Sequence, residues 1–264
     1  MHPIERLRYV ARASGVGHDL LARETAGALA AFSDDPAGLV TACRRIVARH
    51  PTSGPMWWLA SRVLTSVEPM YEAWQAVEEL ADDPTPNELL HSLEADLTVA
   101  VLGWPELVGN VLLRRGDLSV YVVDIHGEGT GLAARLAYSD IEVAEVPAVG
   151  LGAAVADADL LLLEASAIGP DQFLSIAGSI AAASVAKTAG IPVWLVGGAG
   201  RLMPKRVWEA LVSFLPQDEP WYADDEVVSL SLVDAIVGPV GPEGVAEALL
   251  RTDTPVAPEL FVRL

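Results

Sequence analysis

The sequence predicts an α/β protein, with a helical N-terminal domain followed by a Rossmann-like domain on a parallel sheet. Three observations carry this reading. Up to about residue 94 the apolar residues recur at spacings of three and four, the period of helices with one buried face. From Asp96 the pattern changes to short continuous apolar runs, such as 160–163 and 191–196, which read as strands buried on both faces. Those runs alternate with helix-length segments, and a parallel pair of strands needs such a crossover. The expected division is a helical domain over 1–94 and an α/β domain over 95–264.

In chain order, helices are expected over 3–13, 18–32, 36–49 and 56–81, broken at Gly15-Val16-Gly17, Ser33-Asp34-Asp35-Pro36 and the run from His50 to Pro55. Asp35-Pro36 supplies a cap followed by proline at the first helical position. Met56, Trp57, Trp58 and Leu59 form an apolar cluster suited to core or interdomain packing. Asp82-Asp83-Pro84-Thr85-Pro86 breaks the helical pattern, and a short helix from Asn87 leads into the second domain. There, strands are expected over 97–102, 119–123, 141–146, 160–163 and 191–196, then near 227–230 and 235–237. The intervening helices are expected from about 106 to 114, then over 131–137, 151–156, 175–187, 204–214 and 242–251.

Composition narrows the function. A formal charge of -19 disfavours nucleic acid and anionic membrane as partners, because both bind through basic groups. A local amide-lined pocket can still take a small anion against that field. The single cysteine, Cys43, excludes an internal disulfide and a multi-cysteine metal site, and the five histidines have no ligand spacing. No apolar run resembles a signal peptide or spans a bilayer, so a reducing cytoplasm is the simplest setting. No cofactor is expected.

The α/β domain centres on the run from Asp157 to Arg206. It holds two strands, a crossover helix, a carboxylate at the first strand's end (Glu164) and the turn Gly197-Gly198-Ala199-Gly200 at the second's. Ligands of open α/β sheets bind outside the carboxyl ends of the strands. The site is therefore expected in loops there: Gly103 and Glu106; Asp124, His126, Gly129 and Gly131; Glu164 and Ser166; and Arg201. The loop from His126 to Gly131 follows a strand and opens a helix, which favours an anion. Its spacing is G-x-G-x-G, and Glu128 adds a negative charge, so nucleotide binding ranks below a plain tight turn. Glu164 reads either as a base with a raised pKa or as a helix-terminus or salt-bridge partner. Arg201 with Lys205 reads as an anion site or as ordinary surface charge.

The segments ADLLLLEASAIGP, AGSIAAASVAK and AGIPVWLVGGAGR resemble the regulatory-subunit family of translation initiation factor 2B. That family includes the isomerases of methylthioribose 1-phosphate and ribose 1,5-bisphosphate. The resemblance runs from about Asp96 to Pro258, with a helical portion of the expected kind before it. It implies a catalytic cysteine after the first strand, where this chain has Leu102-Gly103-Trp104-Pro105-Glu106. It implies an aspartate in Gly-Ala-Asp, where this chain has Glu164-Ala165-Ser166. An Asn-Lys pair before Gly-Thr is replaced by Ser175-Ile176, ahead of Gly178-Ser179. In the loop where the family has an acid, an arginine and a proline stand Asp124, His126 and Gly127. A serine without a neighbouring base is a poor proton shuttle.

The expectation is therefore an initiation factor 2B-like protein without the isomerase acid/base residues, binding a small phosphorylated metabolite or acting through protein contacts. The alternative is a sugar-phosphate isomerase with a rewired pair, Glu164 with Glu106 or His126. In the ligand reading, the helix from Ser175 brings Gly178 and Ser179 to the crevice, Gly129, Gly131, Ser179 and Arg201 hold a phosphate, and Glu164 and Ser166 meet hydroxyl groups as the catalytic candidates. In the competing reading Trp104 and Ile176 fill the crevice. A homodimer through the alanine-rich segment 175–187 is expected.

Overall fold

A computed structural model describes residues 18–216 and 218–262. The expected helix over 3–13 lies outside them. The described residues open with α1 (His18–Leu29), extended by one 3-10 turn to Phe32, and α2 (Pro36–Arg49). The Asp35 side chain accepts a hydrogen bond from Gly38 N at 2.9 Å, so the cap and the proline act as the sequence suggests.

The single helix expected over 56–81 is two helices, α3 (Gly54–Thr65) and α4 (Pro69–Ala81). Pro69 has no N–H for a continuing helix and pushes Glu68 to φ -123, ψ 71. The Ser66 hydroxyl accepts from Glu68 N at 3.1 Å and fixes the break. α5 (Thr85–Ser92) follows.

The sheet region comprises β1 (Thr98–Leu102), α6 (Glu106–Leu112), β2 (Ser119–Asp124), α7 (Gly129–Tyr138), β3 (Glu142–Pro147), α8 (Leu151–Asp157) and β4 (Leu160–Glu164). It continues with β5 (Ala167–Ile168), β6 (Gln172–Ile176), α9 (Ser179–Ala189), β7 (Val193–Val196) and α10 (Lys205–Phe214). Last come β8 (Asp225–Ser229), β9 (Ala235–Gly238), β10 (Gly241–Glu243) and α11 (Val245–Leu249). The main sheet has the order β10-β9-β7-β4-β1-β2-β3 and is parallel except where β10 returns antiparallel on β9. The expected last helix over 242–251 thus yields its first residues to that edge hairpin.

The larger departure is a second sheet, β5-β6-β8, which pairs antiparallel. The helix expected over 175–187 begins only at Ser179, because its first residues belong to strand β6 (Gln172–Ile176) and to the turn after it. The strand expected near 227–230 belongs to this sheet, not to the parallel one. Its side chains alternate between two cores. Ala167 and Leu174, with Val227 packed against them, join the core of the N-terminal helices. Ile168, Phe173 and Val228 join the core under the main sheet. The small sheet is therefore apolar on both faces and cements the helical layer to the sheet layer. Trp57, Trp58, Val207, Trp208 and Leu211 lie in the same helical core, so α10 packs with the N-terminal helices. A third core holds α5, α6 and α7 on the opposite face of the main sheet.

Candidate functional site

The strand order reverses between β1 and β4, and an open α/β sheet presents its ligand crevice outside that switch point. Gly103 leaves β1 at φ +60, and a Cβ there would stand 2.6 Å from Ile176 Cδ1. Ile176 thus closes over the end of β1, with the Glu128 side chain near the same glycine. His126 (φ 55) and Gly127 (φ 82) carry the sharp turn into α7. Trp104, 42% exposed, lies against Gly109 and Gly131 and covers the first turn of α7.

Glu164, the candidate base, is committed on both oxygens. Oε1 accepts from Arg201 Nη1 at 2.9 Å, and Oε2 accepts from Leu107 N and Val108 N at 2.8 and 3.1 Å. The side chains are 10% and 3% exposed. Arg201 Nη1 also donates to the Ala165 carbonyl at 2.6 Å, while its Nε is buried without a partner. A carboxylate at the start of α6 is favoured by the amides it meets and by the helix dipole. The geometry matches the salt-bridge and helix-terminus reading of Glu164.

Three further amides at this end of the sheet meet a carboxylate in the same way. Asp124 Oδ1 accepts from Thr130 N at 3.3 Å at the start of α7, with Gly129 packed against the Asp124 backbone. Glu226 Oε1 accepts from Ile180 N at 2.6 Å at the start of α9. Asp83 Oδ2 accepts from Ala199 N at 2.9 Å in the glycine turn, while its Oδ1 holds Thr85 N and Oγ1. A Cβ on Gly198 would overlap the Asp83 carboxylate, so this glycine serves an internal acid.

Ser179 is fully buried and donates within the chain, to the Ile176 carbonyl at 2.7 Å and toward Ser175 Oγ at 3.0 Å. Ser175 Oγ in turn donates to the Glu164 carbonyl at 2.8 Å. Gly178, at φ +96, is the residue that lets β6 turn into α9. Ser166 N donates to Leu174 O and its carbonyl accepts from Gly54 N, both at under 3 Å (2.8 and 2.9 Å), so its backbone ties α3 to the small sheet. Glu106 opens α6.

What does converge at the mouth is acidic. His126 Nε2 stands 3.9 Å from Asp224 Oδ1. Beside them, burial pushes the Asp225 carboxyl up to about 6, with Asp224 and Glu128 adding to the rise and the Thr52 hydrogen bond and His126 opposing it. Asp83, Asp224, Asp225 and Glu226 were not among the expected site residues. The Asp83-Pro84 turn was visible only as a helix break, and nothing local in the sequence marks the others. Cys43 is buried and its thiol is pushed up to about 12 by that burial, which makes it inert as a nucleophile.

No family model matches the chain, and no curated protein sequence does. Solved structures do match. The translation initiation factor eIF-2B of Pyrococcus horikoshii OT3 superposes with TM-score 0.76 at 15% identity, covering 94% of this chain and 98% of that one. The eIF2B beta subunit of Chaetomium thermophilum gives 0.75 at 14%, covering 99% and 94%. The fold is that of the eIF2B subunits. A chain of the tetrameric eIF2B-beta2-delta2 complex from C. thermophilum agrees, at TM-score 0.76, 16% identity and coverage of 94% and 92%. The eIF2B fold thus spans nearly the whole chain, including the helical layer, as the motif resemblance implied. No described helix is long and apolar enough to cross a membrane.

Proposed function

We propose that this chain is a non-catalytic protein of the eIF2B type that works through contacts with other protein chains, and that its crevice holds no phosphorylated sugar. The observation that carries this is the filling of the strand-end amides by the chain's own carboxylates: Glu164 at α6, Asp124 at α7, Glu226 at α9 and Asp83 at the glycine turn. A phosphate would have to displace one of them and then face Glu128, Asp224 and Asp225. Arg201, the expected phosphate clamp, is already neutralised by Glu164. The rewired isomerase is disfavoured on the same ground, because the Arg201 guanidinium and two backbone amides already hold the Glu164 carboxylate in its charged form and make it a weak base.

Assembly is the remaining use of the fold. One of the similar structures is a tetrameric complex, and Ile180 on α9 is 43% exposed on the face expected to pair with a second copy. The test has two arms. Methylthioribose 1-phosphate and ribose 1,5-bisphosphate should leave the melting temperature unchanged at millimolar concentration. A true ligand at a hundredfold its Kd would add about 2.7 kcal/mol, a shift of several degrees, and that result would overturn the reading. Sedimentation should show a species heavier than the 27.9 kDa monomer at high micromolar concentration; a monomer alone counts against assembly with itself.

A further inference from the structure

The small sheet ends on β8, which pairs with β6 on one side and with no strand on the other among the described residues. Phe173 stands opposite Val228 and Ser175 opposite Glu226. The ladder runs past both ends, where Ala177 N donates to the Asp224 carbonyl at 2.8 Å and Leu230 N to the Asp171 carbonyl at 3.0 Å. Hydrogen bonding alternates along an antiparallel pair, so Asp224, Glu226, Val228 and Leu230 turn their backbone groups toward β6. Those of Asp225, Val227 and Ser229 point the other way, and no backbone partner among the described residues meets them. Ser229 is exposed and Val227 half-buried. The other edges are guarded. β3 carries exposed Glu142, Glu145 and Pro147, β10 carries Pro242 and lies against α5, and β5 is bridged to Leu202. β8 has neither proline nor lysine, and such an edge is a template for another strand.

The strand that fits this edge is β8 itself. Laid antiparallel across a two-fold axis at Val227, it sets Val227 against Val227 and Asp225 against Ser229. An acid then faces a hydroxyl donor, an apolar pair fills the centre, and no like charges stand directly opposite. Glu226 is already spent inside its own chain, accepting from Ile180 N at 2.6 Å. That bond also brings the first turn of α9 beside β8, so the exposed Ile180 side chain lies next to the open edge.

We propose that β8 pairs with β8 of a second copy of this chain through the backbone of Asp225, Val227 and Ser229, joining two three-stranded sheets into one. The proposal deepens the assembly reading above and rests on it. The two-fold closes the contact, so a dimer forms and not a fibre. Each copy carries a formal charge of -19, so added salt should tighten the dimer. Ser229 sits at φ -73, ψ 132, which proline adopts without strain, and its N–H takes no part in the pairing with β6. Ser229→Pro should therefore fold, losing within the chain only the hydroxyl's contacts with Ser231. In sedimentation it should raise the dimer dissociation constant about thirtyfold, the loss of one interchain hydrogen bond from each copy. Amide exchange of the parent, followed by NMR, decides the matter even if that variant does not fold. The Val227 and Ser229 amides should exchange fast at low micromolar concentration and slowly at high, while those of Glu226 and Val228 stay protected at both. A folded variant that dimerises like the parent, or fast exchange at Val227 and Ser229 in the dimer, overturns the edge pairing and leaves assembly through another surface. Protection of those two amides in the monomer also overturns it, since the chain itself then covers the edge. A parent that stays monomeric overturns both the pairing and self-assembly.

Discussion

The two openings at the carboxyl end of the main sheet use acidic residues in opposite ways. At the switch point every carboxylate that reaches an amide is spent inside the chain: Glu164 on α6 and Arg201, Asp124 on α7, Glu226 on α9. At the second opening, a cleft by β7 and β9, Glu78, Asp82 and Asp253 line an open volume and make no ion pair among the described residues. The same composition therefore spends carboxylates on amides at one opening and leaves three of them outside ion pairs at the other. Net charge alone does not distinguish these outcomes, since position decides whether a carboxylate meets an N–H or a void.

The largest expected effect breaks the closed site. Glu164→Gln leaves the buried Arg201 guanidinium without its counter-charge and should cost about 3 kcal/mol in urea unfolding. The double variant Glu164→Gln with Arg201→Met should recover part of that loss, because no charge remains buried. If the single variant is as stable as the parent, the pair is not what holds α6 to β4.

Asp83→Ala should cost about 1.5 kcal/mol, because it frees Ala199 N, Thr85 N and the Thr85 hydroxyl together. It should also open the glycine turn: inorganic phosphate at tens of millimolar should stabilise this variant more than the parent, read as a difference in melting temperature. Equal response of the two proteins would show that the turn is no anion site even when vacated.

Asp225 gives a pH-dependent contrast. Its carboxyl holds its proton more tightly when folded, so its contribution favours the folded state below the unfolded pKa of 3.8 and is lost as the pH rises through about 6. Asp225→Asn should therefore be more stable than the parent at pH 7.5, by about 1 kcal/mol after allowing for partial hydration, and level with it near pH 3.5. A constant difference across that window would remove Asp225 as its cause. The smallest effect belongs to Lys205, whose pair with Glu209 lies on the surface of α10 at 3.9 Å. Lys205→Ala should change stability by about 0.3 kcal/mol and leave phosphate response untouched, which fits a surface charge and not a ligand clamp.

The sequence by itself determined the α/β class, the helical layer before a sheet layer, the strands β1, β2, β4, β7 and β9, and the caps at Asp35 and Pro36. These follow from local period and local turn chemistry, which need no partner. It also suggested the eIF2B fold through the motifs from Ala158 to Arg201, and it marked Gly103, His126 and the Gly197–Gly200 turn as strand-end positions. The break at Pro69 was missed, because the apolar period continues on both sides of it and masked the proline.

Only the tertiary structure decided the rest. The β5-β6-β8 sheet is hard to read because Ala167-Ile168, Phe173-Leu174 and Val227-Val228 face two different cores, so no polar face marks their alternation. Whether Glu164 is a base or a structural acid depended on Arg201, which is 37 residues away in sequence and 2.9 Å away in space. Asp83 reaches Ala199 across 116 residues, and Asp225, beside Asp224, meets Thr52 from one distant loop and His126 and Glu128 from another. The chemistry of a carboxylate is set by which donors reach it, and those donors are delivered by the packing of distant segments.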